Sequence, residues 1–302
     1  MVINSATLRA ANKGFKKLYD GGLAAAGKPR INDYAMRSPS SSAEENYAWL
    51  GALPGMRKIV GEINIRNLVD HGFKVANEEF EVTVGVKRKD IERDALGVYT
   101  GFFSGMGRSA GRHPDKLLAA ALVAGFTTPC YTGKNFFDLN HEPQKGKAKF
   151  SNKGTKKLSA ANYEAARASI KSRVDAEGEP INENPDLVLI VSPKWEAAAR
   201  LILEAENLAG GGTNTNKGTA RLDVWNRLSG ANEDMWFLVD LGAVVKPFVH
   251  QVEIETEYKA LDNPDSEHAV LKQEYIYQAY GRYNVAALVP ELAWGSTGAD
   301  AA

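Results

Sequence analysis

A single cysteine, Cys130, stands among 302 residues, so no intrachain disulfide can form and no thiolate-rich metal site can be assembled. No stretch approaches the roughly 18 to 20 consecutive apolar residues that a membrane-spanning helix needs. The opening MVINSATLRAANKGFKK contains no apolar block of the signal-peptide kind, which sets the expectation of synthesis in a cytoplasm with no membrane partner. Net charge of either sign is missing as well, since 37 Lys and Arg balance 37 Asp and Glu. No global field therefore draws the chain to nucleic acid or to an acidic membrane. There is no internal repeat, and low complexity is confined to the serines near Ser40 and the glycines at Gly210 to Gly212.

What is present is ordinary for a globular protein: 44% hydrophobic and 25% charged residues exclude a collagen-like or disordered chain. The length exceeds one compact core, so two or three lobes are expected. Charge is unevenly placed. Up to Arg37 the cations Arg9, Lys13, Lys16, Lys17, Lys28, Arg30 and Arg37 face only Asp20 and Asp33. Six lysines lie between Gln144 and Lys157 without an acid, whereas Gln251 to Glu267 holds Glu253, Glu255, Glu257, Asp262, Asp265 and Glu267 against Lys259 alone. Such blocks suit either a solvated face or contacts between subunits, and exposed pairs contribute only ~0 to 1 kcal/mol each.

Along the chain, the first fifty-odd residues read as an arm with a short amphipathic helix around Leu8 to Leu18, then GGLAAAGKPR and the polar run SPSSS. From Met56 to Lys89 the pattern is extended: Ile63 and Ile65 alternate with polar residues, and after the bend VDHG, Phe80, Val82, Val84 and Val86 alternate again. An isolated hairpin of this kind is marginal in water and its edges solicit pairing. Asp90 offers an N-cap for a helix carrying Ile91 to Met106, and Pro114 suits the first turn of a continuation or a second helix, joined to the first by a bend. A turn-rich lobe follows, with a helix capped by Ser159, a buried strand LVLIV at Leu187 to Val191, a helix from near Pro193, a mobile loop GGGTNTNKGT and a strand from Trp236 to Leu241. Two long alternating strands, Val244 to Tyr258 and Tyr275 to Val289, close the pattern.

Catalytic chemistry finds little support. Gly105, Gly107 and Gly111 sit late in a predicted helix, where close backbone packing explains them better than a dinucleotide loop. GTNTNKGT lacks the Gly-Lys-Ser/Thr ending of a phosphate loop. Asp138 and His141 are the nearest approach to an acid-base or metal pair, yet a DLNHEP turn uses both for local backbone hydrogen bonds. Cys130 reads as a small buried hydrophobe, and Glu78, Glu79 and Glu81 as protection of a strand edge. Tyr275, Tyr277, Tyr280 and Tyr283 have strand spacing suited to packing. No catalytic, cofactor-binding or metal-binding residue is expected.

The segments MRKIVGEINIRNLVDHGFKVANEEFEVTVGVKRKDIERDALGVY, HPDKLLAAALVAGF and YTGKNFFDLNHE, followed near the end by EYIYQAYGRYNVAALVPELAWG, resemble the major head subunit of Mu-like tailed phages. That family shares the Hong Kong ninety-seven coat fold, an α+β architecture. The resemblance implies an N-terminal arm (1–55), an E-loop hairpin within 56–89 that lies over a neighbouring subunit, and a spine helix from near Asp90. It further implies a peripheral domain (90–130 and 246–302) and an axial domain (131–245). It implies a shell protein rather than an enzyme, assembling in a bacterial cytoplasm as pentamers and hexamers into a virion head. The shell would enclose double-stranded DNA through weak, non-specific contacts, with portal and separate scaffold proteins as partners. Expected intersubunit residues are Arg9, Lys13, Lys16, Lys17, Glu62, Arg66, Lys74, Glu78, Glu79, Glu81, Lys87 and Arg88. A cellular nanocompartment shell of the same fold and a soluble enzyme remain the alternative classes.

Overall fold

The computed structural model describes residues 4–47, 72–93, 95–142, 149–174, 180–207 and 211–300. Helix α1 (Ser5–Ala24) begins where the Asn4 side chain accepts a 2.9 Å hydrogen bond from the Thr7 amide, and the chain turns away at Gly27 with φ 77°. After α2 (Ile31–Tyr34) come β1 (Ala35–Pro39), β2 (Glu44–Asn46), β3 (Lys74–Ala76), β4 (Glu78–Lys87), the short α3 (Arg88–Glu92) and the long α4 (Thr100–Ala124). The next elements are β5 (Lys153–Gly154), α5 (Ala160–Lys171), β6 (Leu187–Val191), α6 (Glu196–Leu203), β7 (Arg221–Val224) and β8 (Trp236–Asp240). The chain returns through β9 (Phe248–Leu261), α7 (Glu267–Lys272), β10 (Glu274–Ala287) and β11 (Ala293–Ser296).

Two sheets organise these elements. The first has the order β1-β9-β10-β4, with β1 parallel to β9 and the other pairs antiparallel. Alternation puts Val86, Tyr275, Tyr277 and Ala279 on one face, where they meet Leu8, Phe15 and Tyr19 of α1 and Phe103 and Met106 of α4. Phe15 stacks on Phe103 at 4.1 Å and meets Tyr277 edge-on at 5.1 Å. The second sheet has the order β5-β11-β8-β6-β7, and its central strands β6 and β8 are buried along their whole length. A buried strand of this kind reads as the unbroken apolar run LVLIV.

Several local expectations differ from what forms. The strand Glu78–Lys87 is the edge of the first sheet, paired with β10 from Glu274↔Lys87 to Tyr283↔Glu78, so it is half of no free-standing hairpin. Residues Ile63 and Ile65 lie outside the described residues. The predicted spine splits at its start: α3 and a 3₁₀ turn at Leu96–Tyr99 precede α4, which continues through Pro114 as one helix. An interior proline costs about 3 kcal/mol of helix stability. Here the helix is held on both sides of it, because Phe103, Met106 and Ala110 are buried in one core and Leu118, Ala119 and Leu122 in another. The amphipathic start is longer than Leu8 to Leu18, since α1 continues through Gly21 and Gly22 onto α4.

That helix pair explains two of the three glycines of the G-x-G-x-x-x-G run. A Cβ on Gly107 would sit 2.0 Å from the Tyr19 carbonyl oxygen, and one on Gly111 would sit 2.7 Å from the Ala26 methyl, whereas Gly105 meets nothing within 4 Å. Reciprocally, a Cβ on Gly22 would lie 2.1 Å from the Ser104 carbonyl oxygen. The backbones therefore touch where only glycine fits. Gly107→Ala is expected to destabilise the unassembled subunit by about 2 kcal/mol through overpacking. Gly105→Ala should stabilise it by about 0.5 to 1 kcal/mol. Denaturant unfolding checks both; equal effects would show that the glycines serve another purpose.

Candidate assembly interface

The residues expected to touch neighbours fall into two groups. Arg9, Lys13, Lys16 and Lys17 are exposed on α1, on the side turned away from Leu8, Ala11, Phe15 and Tyr19. Glu78, Glu79, Glu81 and Lys87 lie on β4, an edge strand of the first sheet among the described residues. Glu79 pairs with Arg282 at 3.0 Å, Glu81 accepts from the Thr83 hydroxyl, and Glu78 points to the opposite side. Lys87 ends β4, Arg88 opens α3 and pairs with Glu92 at 3.1 Å, and Lys74 of β3 pairs with Glu44 of β2. Glu62 and Arg66 lie outside the described residues.

The β2–β3 ladder positions what lies between its strands. Glu44 faces Ala76, Glu45 faces Val75 and Asn46 faces Lys74, and the Tyr47 amide donates to the Phe73 carbonyl at 2.8 Å. The chain thus departs at Tyr47 and returns at Phe73 side by side, the geometry of a hairpin base. Gln251 of β9 anchors this base: it accepts from the Tyr47 hydroxyl at 2.9 Å, and its amide donates to the Val75 carbonyl at 3.0 Å and the Asn77 side chain at 2.9 Å.

The second sheet is tied to the first by a cluster that sequence reasoning missed. Arg173, at the end of α5, is buried and donates to the carbonyls of Pro290, Glu291 and Ala293, where the chain passes from β10 to β11. Its guanidinium also lies 4.9 Å from the Phe150 ring. The Tyr131 hydroxyl donates to the buried Glu291 carboxylate, whose pKa is raised by desolvation. Arg173 and Glu291 are 118 residues apart in sequence, and no local motif marks them. A further set was legible but unread: Arg108, Arg112 and Lys116 recur every four residues on α4 and are all exposed.

The candidates for chemistry are absorbed by structure. His141 is buried, with Nδ1 2.9 Å from the Thr132 hydroxyl and Nε2 3.2 Å from the Phe136 carbonyl, and burial lowers its pKa. Asp138 accepts from the Asn140 amide at 3.0 Å in a local turn. Burial raises the pKa of the Cys130 thiol. The supposedly mobile glycine-rich loop is held by Asn214, whose amide donates to the Leu201, Ile202 and Ala205 carbonyls at the end of α6. Tyr275, Tyr277 and Tyr283 pack inward, while Tyr280 lies on the open face beside Arg282. Among the described residues, no group of three or more His, Cys, Asp or Glu is placed to hold a metal ion.

Burial also governs His250, whose pKa falls from 6.5 to about 4, with Arg37 adding to the effect. Between those values the unfolded chain binds more protons than the folded one, so this group's contribution to stability is lost as pH drops from 6.5 toward 4. Relative to His250→Gln, the wild-type subunit should lose about 2 kcal/mol of unfolding free energy from pH 7 to pH 5. A pH-independent difference in denaturant unfolding would contradict the burial argument.

Comparison with known proteins bears on the whole arrangement. The Major capsid protein of Escherichia phage Mu is 42% identical over 141 residues, 47% of this chain and 46% of that protein. The Mu-like prophage FluMu major head subunit of Haemophilus influenzae is 37% identical over 134 residues, 44% and 43% of the two chains. The aligned region thus spans about half the length of these curated relatives. A subunit of the solved procapsid of bacteriophage JBD30 superposes with a TM-score of 0.58 at 28% identity, covering 97% of this chain and 76% of that one. The fold is the α+β Hong Kong ninety-seven coat fold of tailed-phage capsids. A model of the family described as "Mu-like prophage major head subunit gpT" matches residues 8–157, 149–228 and 221–300, and the chain belongs to that family.

Proposed function

We propose that this chain is the principal wall subunit of a Mu-like phage head, a structural protein and not an enzyme. Its copies assemble in a host bacterial cytoplasm into pentamers and hexamers, and these close into an icosahedral shell around double-stranded DNA. Membership of the head-subunit family is the observation that carries this reading. Head-to-tail contacts of a self-complementary surface close into rings, and several weak neighbours held at once outlast any single interface. Portal and scaffold proteins are the further partners, and the DNA contact is non-specific.

Within this reading, 1–55 with α1 is the N-terminal arm, 90–130 and 246–302 with α4, β9 and β10 the peripheral domain, and 131–245 with α5, α6, β6, β7 and β8 the axial domain, whose sheet β11 joins from the C-terminal segment. Tyr47 and Phe73 lie side by side at the β2–β3 ladder. The E-loop is the segment 56–89, of which 56–71 lie outside the described residues and the rest includes β3 and β4. Its role is to lie over a neighbouring subunit. The base ladder makes this testable without cutting into β4. Replacing residues 51–70 with a short glycine-serine turn should leave a folded, soluble subunit that makes no closed particles by light scattering and electron microscopy. Particles of normal size from that variant would contradict the assigned role.

A further inference from the structure

Charge is segregated across the first sheet. On one side lies the layer formed by α1 and α4, whose outward surface carries Arg9, Lys13, Lys16, Lys17, Arg108, Arg112 and Lys116, all exposed. Among the described residues none of the seven lies within ion-pair distance of a carboxylate. Asp20 is the acid of α1, and Asp115 of α4 is occupied by the Ile31 amide at 2.9 Å. The opposite face of the sheet is rich in glutamates, and these are answered from within. Arg282 pairs with Glu79 at 3.0 Å and Glu253 at 2.7 Å, Lys259 pairs with Glu257 at 2.6 Å, and Arg37 pairs with Glu255.

The helical layer is therefore strongly basic, with Asp20 as the one exposed acid of its two helices, while the sheet face is largely neutralised by its own cations. We propose that the outward surface of the α1–α4 layer binds the phosphate backbone of duplex nucleic acid, so that this layer faces the shell interior; the inference rests on the head-subunit reading above.

Spacing supports a polyphosphate occupant. Arg9, Lys13 and Lys17, and in parallel Arg108, Arg112 and Lys116, recur every four residues, an axial step of about 6 Å. Phosphates on one strand of a duplex are ~3.4 Å apart along its axis, so each step spans roughly two of them. Between the helices runs a groove of about 740 Å³ whose lining includes Lys17 from one and Arg108 from the other, giving a backbone ridge cations on both banks. A second copy of this chain offers less charge on its sheet face, where Glu79, Glu253, Glu255 and Glu257 are already paired, and its exposed Glu78, Glu81, Asp265 and Glu267 are few beside a duplex. A duplex offers one uncompensated charge per ~1.7 Å.

The test is binding of a fluorescent 30-base-pair duplex of arbitrary sequence to the full-length subunit kept below its assembly concentration, across 50 to 200 mM salt. The variant Lys13→Ala/Lys16→Ala/Lys17→Ala/Arg108→Ala removes four exposed cations and no buried contact. Each phosphate contact contributes about 0.9 to the slope of log affinity against log salt, so that slope should fall by about 3 and affinity at 100 mM salt by at least about tenfold. A control of equal charge change, Lys134→Ala/Lys156→Ala/Lys171→Ala/Lys272→Ala, should bind as wild type. Equal losses in the two variants would reduce the effect to bulk charge and overturn the proposal. Unchanged binding by the helical variant would overturn it too. If that variant instead fails to assemble while binding duplex normally, the face is covered by a neighbouring copy and the proposal is wrong. Failure of the head-subunit reading would show separately, as wild-type protein that forms no particles whatever its slope.

Discussion

The molecule depends on one joint, the passage of the chain from β10 to β11. Residues Pro290 to Ala293 carry it from the sheet that packs under α1 and α4 into the sheet that holds the turn-rich half. Backbone carbonyls in such a crossing have no strand partner, and leaving them buried and unbonded would cost ~1 to 3 kcal/mol each. Arg173 answers three of them with one guanidinium, Asn152 adds a 3.1 Å hydrogen bond to Pro290, and Tyr131 holds the Glu291 carboxylate. Three parts of the chain converge here: the segment after α4, the end of α5 and the C-terminal run. α4 supports the same junction from the other side, since its two halves are buried in different cores. A wall tile, the role proposed for this chain, has to carry geometry from its centre to its rim, and the pinned crossing and α4 link its two sheets.

On that body the surfaces divide the work. The glycine contacts let α1 lie close on α4, which fixes α1 in place and sets its cations outward as a patterned surface. Among the described residues β4 is an edge strand of the sheet, and it carries Glu78, Glu79 and Glu81, a pattern that discourages indiscriminate strand pairing. Gln251 then fastens the β2–β3 ladder to β9. Assembly of such a tile needs no strong single contact, because each neighbour raises the effective concentration of the next.

Much of this was legible in the residues. Ser159 caps α5 as its position suggests, LVLIV is a fully buried strand, and the alternation of β9 and β10 sorts their faces correctly. Misreadings share a cause: local signals were outweighed by packing far away in sequence. Pro114 looked like a break, yet burial on both sides keeps α4 whole. Gly21 and Gly22 looked like a stop, yet Gly22 is where Ser104 comes closest to α1. GGGTNTNKGT looked mobile, yet Asn214 caps α6 through three carbonyls. Arg173 and Glu291 carried no signal, because a buried pair is recognisable only once its distant partners are known. The basic half of the proposed surface on α1 stood out as a charge block, whereas Arg108, Arg112 and Lys116 are diluted by glycines, alanines and Asp115 and emerge only at helical spacing.

The central claim is that this polypeptide completes itself only among its copies. Electron microscopy of the purified wild-type protein, taken through rising concentration and followed in parallel by sedimentation velocity, addresses it most directly. The account predicts a sharp onset of closed shells or tubes with a subunit lattice of pentamers and hexamers. A monodisperse monomer at every concentration, in the presence or absence of duplex DNA and a scaffold protein, would contradict it.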